Sequence, residues 1–463
     1  MPTRRHFLRA AGATSTSTLL QPNWLSAQSP FVALPGGNPI LPGSGLCDPQ
    51  IRVYKDLDGT PRVYLYATHD FSPANKYYEM HDWWVWTTTD LIHWQQVSTL
   101  RPEQTYFHKP SNECWATDAI SHNGKYYFYF SRGPKEIGVV VGDTPRGPWR
   151  DPLDKPLVAD GQTATEARDP GVLQEDDGTT YLIFGLGDYF IARLNGDMIS
   201  FAETPRKVVI HNQSGPYGPH TGDDKPFLFK RGGIYYLSWG CYYATSKDIY
   251  GPYEYKDTII KADHTAPEFQ KGLTLDRHGS FFELHGQWYF ICNDQSFPGQ
   301  GPYFRTAVLS YIHFRDNGDI ATLDLNRLGV AQYDATAPSI AAANFFKIDG
   351  GTIGEAPTGS MIEFEVRGLR NESYLVYLNV CNLRANARIT FVGSSTHGAT
   401  IQVRANSPTG ELLASCKLAP TGDWLTYKTA TTILRNKEGK TNVCFTVHGN
   451  AGELLRLNSF FFS

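Results

Sequence analysis

Five times along the chain, an apolar run that opens on a polar residue meets a glycine turn and is followed by a strand dense in aromatics. The clearest copy is Asp169-Pro170-Gly171-Val172-Leu173, then Glu175-Asp176-Asp177-Gly178, then Tyr181-Leu182-Ile183-Phe184. An Asp-Gly turn between two β-prone runs is a strong hairpin signature. The turn glycines are Gly59, Gly124, Gly178, Gly233 and Gly286, spaced 65, 54, 55 and 53 residues apart. Aromatic strands follow them at residues 63–66, 126–129, 181–184, 235–238 and 288–291. A second echo supports the period. Thr144-Pro145-Arg146-Gly147-Pro148-Trp149 is matched 104 residues later by Asp248-Ile249-Tyr250-Gly251-Pro252-Tyr253, about two repeats away.

A repeat of about 50 residues, each unit a small antiparallel sheet, predicts the blades of a propeller. The expected fold is all-β: a five-bladed β-propeller followed by a β-sandwich of jelly-roll type. The propeller spans residues 28–333 and an Ala/Pro-rich linker residues 334–343. The sandwich spans 344–463, where the blade period is lost and spaced strands appear at 361–366, 374–380, 389–392, 400–404 and 443–447. In a propeller the first strand of each blade lines the central channel. The polar residues that open the first strands, Asp48, Asp118, Asp169, Asp224 and His278, stand 6 to 11 residues before the turn glycines. They are expected to converge near one end of that channel.

Composition agrees with this picture. Aromatics make up 13% and charged residues 19% of the 463 residues, a balance that favours strands. Thr3-Arg4-Arg5-His6-Phe7-Leu8-Arg9 fits a twin-arginine export pattern. Residues 1–27 are therefore expected to be a signal peptide, with a periplasmic or extracellular destination. Its apolar part is shorter than the roughly 20 residues of a membrane span. Net charge is −4, and removing three arginines with the leader makes the remainder more acidic. With no basic stripe, nucleic acid is not an expected partner. The seven cysteines form no close Cys-x-x-Cys pair, so buried thiols are expected rather than a zinc site.

Carboxylates facing one another across a channel can divide the labour of glycosidic cleavage, one activating water and one protonating the leaving oxygen. Asp176 and Asp177 are turn residues and do not enter this set. The propeller, over roughly residues 36–333, resembles glycoside hydrolase family 43, the inverting arabinofuranosidases, xylosidases and arabinanases. The resemblance rests on several stretches. These are Asp48-Pro49, Trp115-Ala116-Thr117-Asp118, Asp169-Pro170 with its Asp-Asp-Gly turn, the hairpin at residues 230–238, and His278 with residues 286–289.

By that resemblance Asp48 would be the general base and Asp169 the group that tunes and orients. His278 would contact a channel calcium or its waters, with no organic cofactor, and Arg305 would bind sugar. Trp115 would form a sugar platform, with Asp118 beside it. The family has Glu, a small residue and Pro at the acid; here the stretch is Asp223-Asp224-Lys225-Pro226. Asp224 takes the Glu place with a shorter reach, and Lys225 favours its ionised form. The acid is then Asp224 with a closer backbone or a different substrate, or else Glu268 or Glu113, or it is lost. Residues 344–463 resemble carbohydrate-binding module family 6, on 399–415, Pro420-Thr421-Gly422-Asp423-Trp424 and Asn458-Ser459-Phe460-Phe461-Phe462. The resemblance implies an exported hydrolase of plant or algal polysaccharides or oligosaccharides. The rival expectation is a lectin-like receptor that lost its acid.

Overall fold

The computed structural model describes residues 36–56, 59–296, 301–435, 437–450 and 452–463. The twin-arginine segment lies outside these residues. Each expected hairpin forms, and Gly59, Gly124, Gly178, Gly233 and Gly286 all turn in the left-handed region, φ +73° to +86°. That conformation is the one glycine adopts without steric cost.

Five sheets follow in chain order. Blade one comprises Leu46–Lys55, Pro61–His69, Trp83–Thr88 and Gln95–Leu100, and blade two Cys114–His122, Lys125–Arg132, Glu136–Gly142 and Trp149–Arg150. Blade three comprises Gly171–Gln174, Thr180–Leu186, Asp188–Arg193 and Arg206–Lys207. Blade four runs Pro226–Arg231, Ile234–Trp239, Tyr242–Ser246 and Tyr253–Thr258, with Ile210–His211 added along its outer edge. Blade five has Gly279–Leu284, Gln287–Asp294 and Thr306–Ile312.

The innermost strands pack side by side in cyclic order, and the first strand of blade five returns to that of blade one. The ring is closed by apolar packing between neighbours. Tyr66, Trp83, Phe128 and Phe130 join blades one and two, and Tyr129, Val139, Val172 and Leu182 join blades two and three.

The sandwich has two sheets. One is ordered Tyr333–Asp334, Tyr374–Leu383, Gly439–His448, Ala399–Ala405 and Leu412–Leu418. The other is ordered Thr352–Glu355, Phe364–Leu369, Leu455–Phe462, Arg388–Ser394 and Lys428–Ile433. Tyr377, Phe391, Phe445 and Phe460 fill the space between them.

The expected linker behaves differently. Tyr333–Asp334 pairs with Val380 and Cys381 of one sheet, and Ile340–Ala341 pairs with the last strand of the other. These residues satisfy their backbone groups inside the sandwich rather than in water. The module also touches blade five: His313 Nε2 and Asn344 Oδ1 lie 2.8 Å apart, and Arg315 reaches Glu355 at 3.1 Å. All seven cysteines are free thiols and, apart from half-buried Cys381, buried. Among the described residues no helix is long and apolar enough to cross a membrane.

Candidate active site

Where the first strands enter the ring, three residues that precede proline share an uncommon backbone. Asp48, Asp169 and Lys225 sit at φ +51°, +54° and +66°. Non-glycine residues held there store strain that the surroundings must enforce. The enforcement is a ring of hydrogen bonds from each N–H to a side chain of the preceding blade. Asp48 N donates to Asn293 Oδ1 (2.8 Å), Asp169 N to Ser131 Oγ (2.9 Å) and Lys225 N to Asp169 Oδ2 (3.0 Å).

Asp48, Asp169 and Asp224 border one cavity of about 230 Å³, together with His278, Arg305 and Trp115. This volume is below the ~300–1,000 Å³ of drug-sized clefts and suits a single sugar ring.

Blades one and five build one wall. Asp48 Oδ1 accepts from Asn293 Nδ2 (2.8 Å) and Arg305 Nη1 (2.9 Å), and His278 Nδ1 lies 3.5 Å away. Among the described residues no protein donor takes Asp48 Oδ2, which stays available to a water. Arg305 is spent on carboxylates. Its Nε and Nη2 make a fork with Asp70, both at 3.0 Å, and its Nη1 lies 3.4 Å from Asp276. Arg305 thus anchors the base side, and the expectation that it binds sugar is revised to that extent. Burial lowers the proton affinity of His278 and so favours the neutral ring.

Blades three and four build the facing wall. Lys225 Nζ lies 2.6 Å from Asp224 Oδ1 and 2.8 Å from Asp223 Oδ2, and Arg168 Nη1 is 3.7 Å from Asp224 Oδ2. Burial pushes the Asp224 carboxyl up, but the ammonium and the guanidinium together outweigh it and hold the group below the usual carboxylate range. Asp169 goes the other way. Burial, then the Asp224 charge beside it, push its carboxyl well above that range.

Asp118, expected at the substrate, is not in the cavity. It lies at the level of Val172, three residues along the chain from Asp169, as the hydrogen bond from Val172 N shows. There it is fully buried, salt-bridged to Arg52 and accepting Val172 N at 2.8 Å, so it brackets blades one, two and three together. Glu113 and Glu268, the alternative acids, do not border the cavity either.

Trp115 does border it, with Nε1 donating to Tyr78 O and Arg168 5.8 Å above its ring. Sequence reasoning missed Asp70, Asp276 and Asn293, and also Tyr77, Tyr217 and Leu275 at the exposed mouth.

Calcium takes about six to eight oxygen ligands. The charged groups near His278 are the cation Lys225 and three carboxylates already engaged, Asp48 with Arg305 and Asn293, Asp224 with Lys225 and Asp276 with Arg305. Among the described residues no three His, Cys, Asp or Glu side chains are grouped to hold a metal. These residues do not fit a calcium shell, and the chemistry below runs on side chains.

Comparison with known proteins agrees with this geometry. Residues 37–320 match Glycosyl hydrolases family 43, and residues 342–463 match Carbohydrate binding module (family 6). An arabinoxylan arabinofuranohydrolase of Paenibacillus polymyxa is 27% identical, over 95% of this chain and 76% of its own length. A family 43 arabinoxylan arabinofuranohydrolase of Bacillus subtilis, solved with cellotetraose, shares the fold at TM-score 0.54 and 22% identity, over 92% of this chain and 97% of its own. A Xanthomonas citri enzyme of subgroup GH43_1, solved with xylose, is 28% identical at TM-score 0.51, over 63% of this chain and 93% of its own. With more than half of its length matched, and a pocket of facing carboxylates where the blades converge, the chain belongs to glycosyl hydrolases family 43 and is a glycoside hydrolase with an appended carbohydrate-binding module.

Proposed function

We propose that the pocket removes one neutral pentosyl unit, arabinofuranosyl or xylosyl, from a plant xylan or its oligosaccharides, with inversion of configuration. The observation that carries this reading is the convergence of Asp48, Asp169 and Asp224, from three blades, on a cavity of single-sugar size. The arabinoxylan-acting relative supports an arabinofuranosyl unit, and the xylose-bound neighbour supports a xylosyl one.

Asp48 takes the proton of a water through Oδ2. The water oxygen attacks the anomeric carbon, and the bond to the leaving oxygen breaks toward the facing wall. Inversion needs the two walls to be about 6.5–9.5 Å apart, so that the water fits. Asp169 holds the backbone of Lys225 and tunes the charge of that wall.

Five carboxylates, Asp48, Asp169, Asp223, Asp224 and Asp276, outnumber the cations Arg168, Lys225 and Arg305 in the lining. That balance favours a neutral sugar over a uronic acid. Tyr77 and Tyr217 at the mouth offer apolar faces to the rest of the chain. The sandwich would keep the enzyme near its polymer by raising effective concentration. The twin-arginine leader would place the enzyme where such polymers occur, outside the cytoplasm.

The test is sugar release from arabinoxylan and xylo-oligosaccharides by the wild type and by Asp48→Ala. Arabinose or xylose from the wild type alone is the expected result. Binding without turnover in the wild type would return the pocket to a lectin-like receptor.

A further inference from the structure

The glycosidic oxygen needs a proton as its bond breaks, and the carboxylate standing in the acid's place is held in its charged form. The side chain beside it is not small, as the family pattern has it, but a lysine only 5% exposed that borders the cavity. Its backbone repeats the left-handed, pre-proline conformation of Asp48 and Asp169. Blade four therefore presents an ammonium at the position where blades one and three present carboxylates.

The ammonium is fixed in place. Asp224 Oδ1 at 2.6 Å and Asp223 Oδ2 at 2.8 Å occupy two of its three N–H groups. Among the described residues no further hydrogen-bond acceptor takes the third. We infer that Lys225, rather than Asp224, meets the departing glycosidic oxygen and hands it a proton, with Asp223 and Asp224 positioning the ammonium. This deepens the glycosidase reading and rests on it.

The step balances without any co-reactant. Water oxygen bonds to the anomeric carbon and its proton goes to Asp48. The anomeric carbon–oxygen bond breaks, and its electron pair stays on the leaving oxygen, which takes a proton from Lys225 Nζ. Asp48 then loses its proton to solvent and the Lys225 amine regains one. The sum is one water added across the bond.

A sugar alkoxide is a stronger base than an ordinary lysine amine, so a proton can pass to it as the bond breaks. Burial opposes the charge of Lys225, but Asp224 and Asp223 outweigh it and keep the ammonium protonated across the working pH range.

The test compares the wild type, Lys225→Met and Lys225→Arg on two substrates across pH. One is a nitrophenyl pentoside, whose phenolate hardly needs a proton. The other is a xylan oligosaccharide with an alcohol leaving group. Lys225→Met should lose ~10²–10⁴-fold in kcat on the oligosaccharide, the usual contribution of a general acid, and much less on the nitrophenyl substrate.

Lys225→Arg keeps the charge and both ion pairs but does not release its proton, and should be as impaired as Lys225→Met on the oligosaccharide. The wild type should show no alkaline loss of kcat below about pH 9, given an ordinary lysine near 10.4. Melting temperatures and product binding check that the variants fold.

Recovery of oligosaccharide activity in Lys225→Arg, equal losses on both substrates in Lys225→Met, or a wild-type alkaline limb near neutrality would overturn the inference and leave the pocket a glycosidase. A wild type inert on every glycoside would overturn both.

Discussion

On the wall built by blades one and five, Asp48 is held by a neutral amide and by a guanidinium that it shares with Asp70 and Asp276. On the wall built by blades three and four, two carboxylates, Asp223 and Asp224, pair with one ammonium, and a third, Asp169, accepts the backbone N–H of the same lysine. Both walls use left-handed pre-proline residues clipped to the preceding blade, so the backbone problem is solved once and reused. The charge problem is solved twice, in opposite ways. The first wall fixes Asp48 by contacts on one oxygen and leaves the other free for water. The second buries Asp169 beside the charged Asp224, which pushes its carboxyl well above the usual range, while Lys225 and Arg168 hold Asp224 below it. An inverting site needs this asymmetry, because one side must accept a proton while the other gives one.

The comparison can be broken most sharply at Asp48. Asp48→Asn keeps the shape but cannot accept the proton, so kcat should fall by ~10²–10⁴-fold while sugar binding persists. Steady-state kinetics with calorimetric product titration would separate the two effects.

Next comes Asp70, which is absent from the cavity but holds Arg305 in a fully buried fork. Removing it leaves the buried guanidinium with Asp48 and Asp276 but without its bidentate partner, and Asp70→Ala should cost about 1–3 kcal/mol in urea unfolding. Activity should fall with it, because Arg305 would no longer be fixed against Asp48.

Asp169→Asn probes the other wall through pH. The folded chain binds the Asp169 proton more tightly than the unfolded chain. The stability this gives is complete below about pH 4 and is lost as pH rises through the raised folded value. Asparagine removes that loss, so the melting temperature of the variant minus that of the wild type should climb with pH. A flat difference would show that Asp169 is not held protonated.

The smallest effect is expected away from both walls. Lys207 and Asp188, a solvent-exposed pair at 2.7 Å on blade three, should tolerate Lys207→Ala within about 0–1 kcal/mol.

Much of this was legible in the chain. The five turn glycines announce the blades because the left-handed turn and the aromatic strand after it are local requirements. Depth in the channel was legible too, though easily overlooked. Asp48, Asp169 and Asp224 stand 11, 9 and 9 residues before their glycines, whereas Asp118 stands 6 before Gly124, far enough along its strand to drop below the pocket. Lys225 was visible as a cation at the acid's place, but not the reach of its Nζ to two carboxylates. Asp70 and Asn293 gave no signal, because their partners lie 235 and 245 residues away and only ring closure brings them together. Residues 334–343 have the composition of a linker, and their pairing with distant sandwich strands depends on partners that no local pattern reveals.

The central claim is that Asp48 activates a water on one side of the sugar while the bond breaks toward the other. It is tested most directly by proton NMR of the sugar first released from a xylan oligosaccharide, recorded before mutarotation. A product of opposite anomeric configuration to the substrate is the predicted result. A product that retains the substrate's configuration would mean a covalent intermediate in place of a single displacement by water, and would contradict the account.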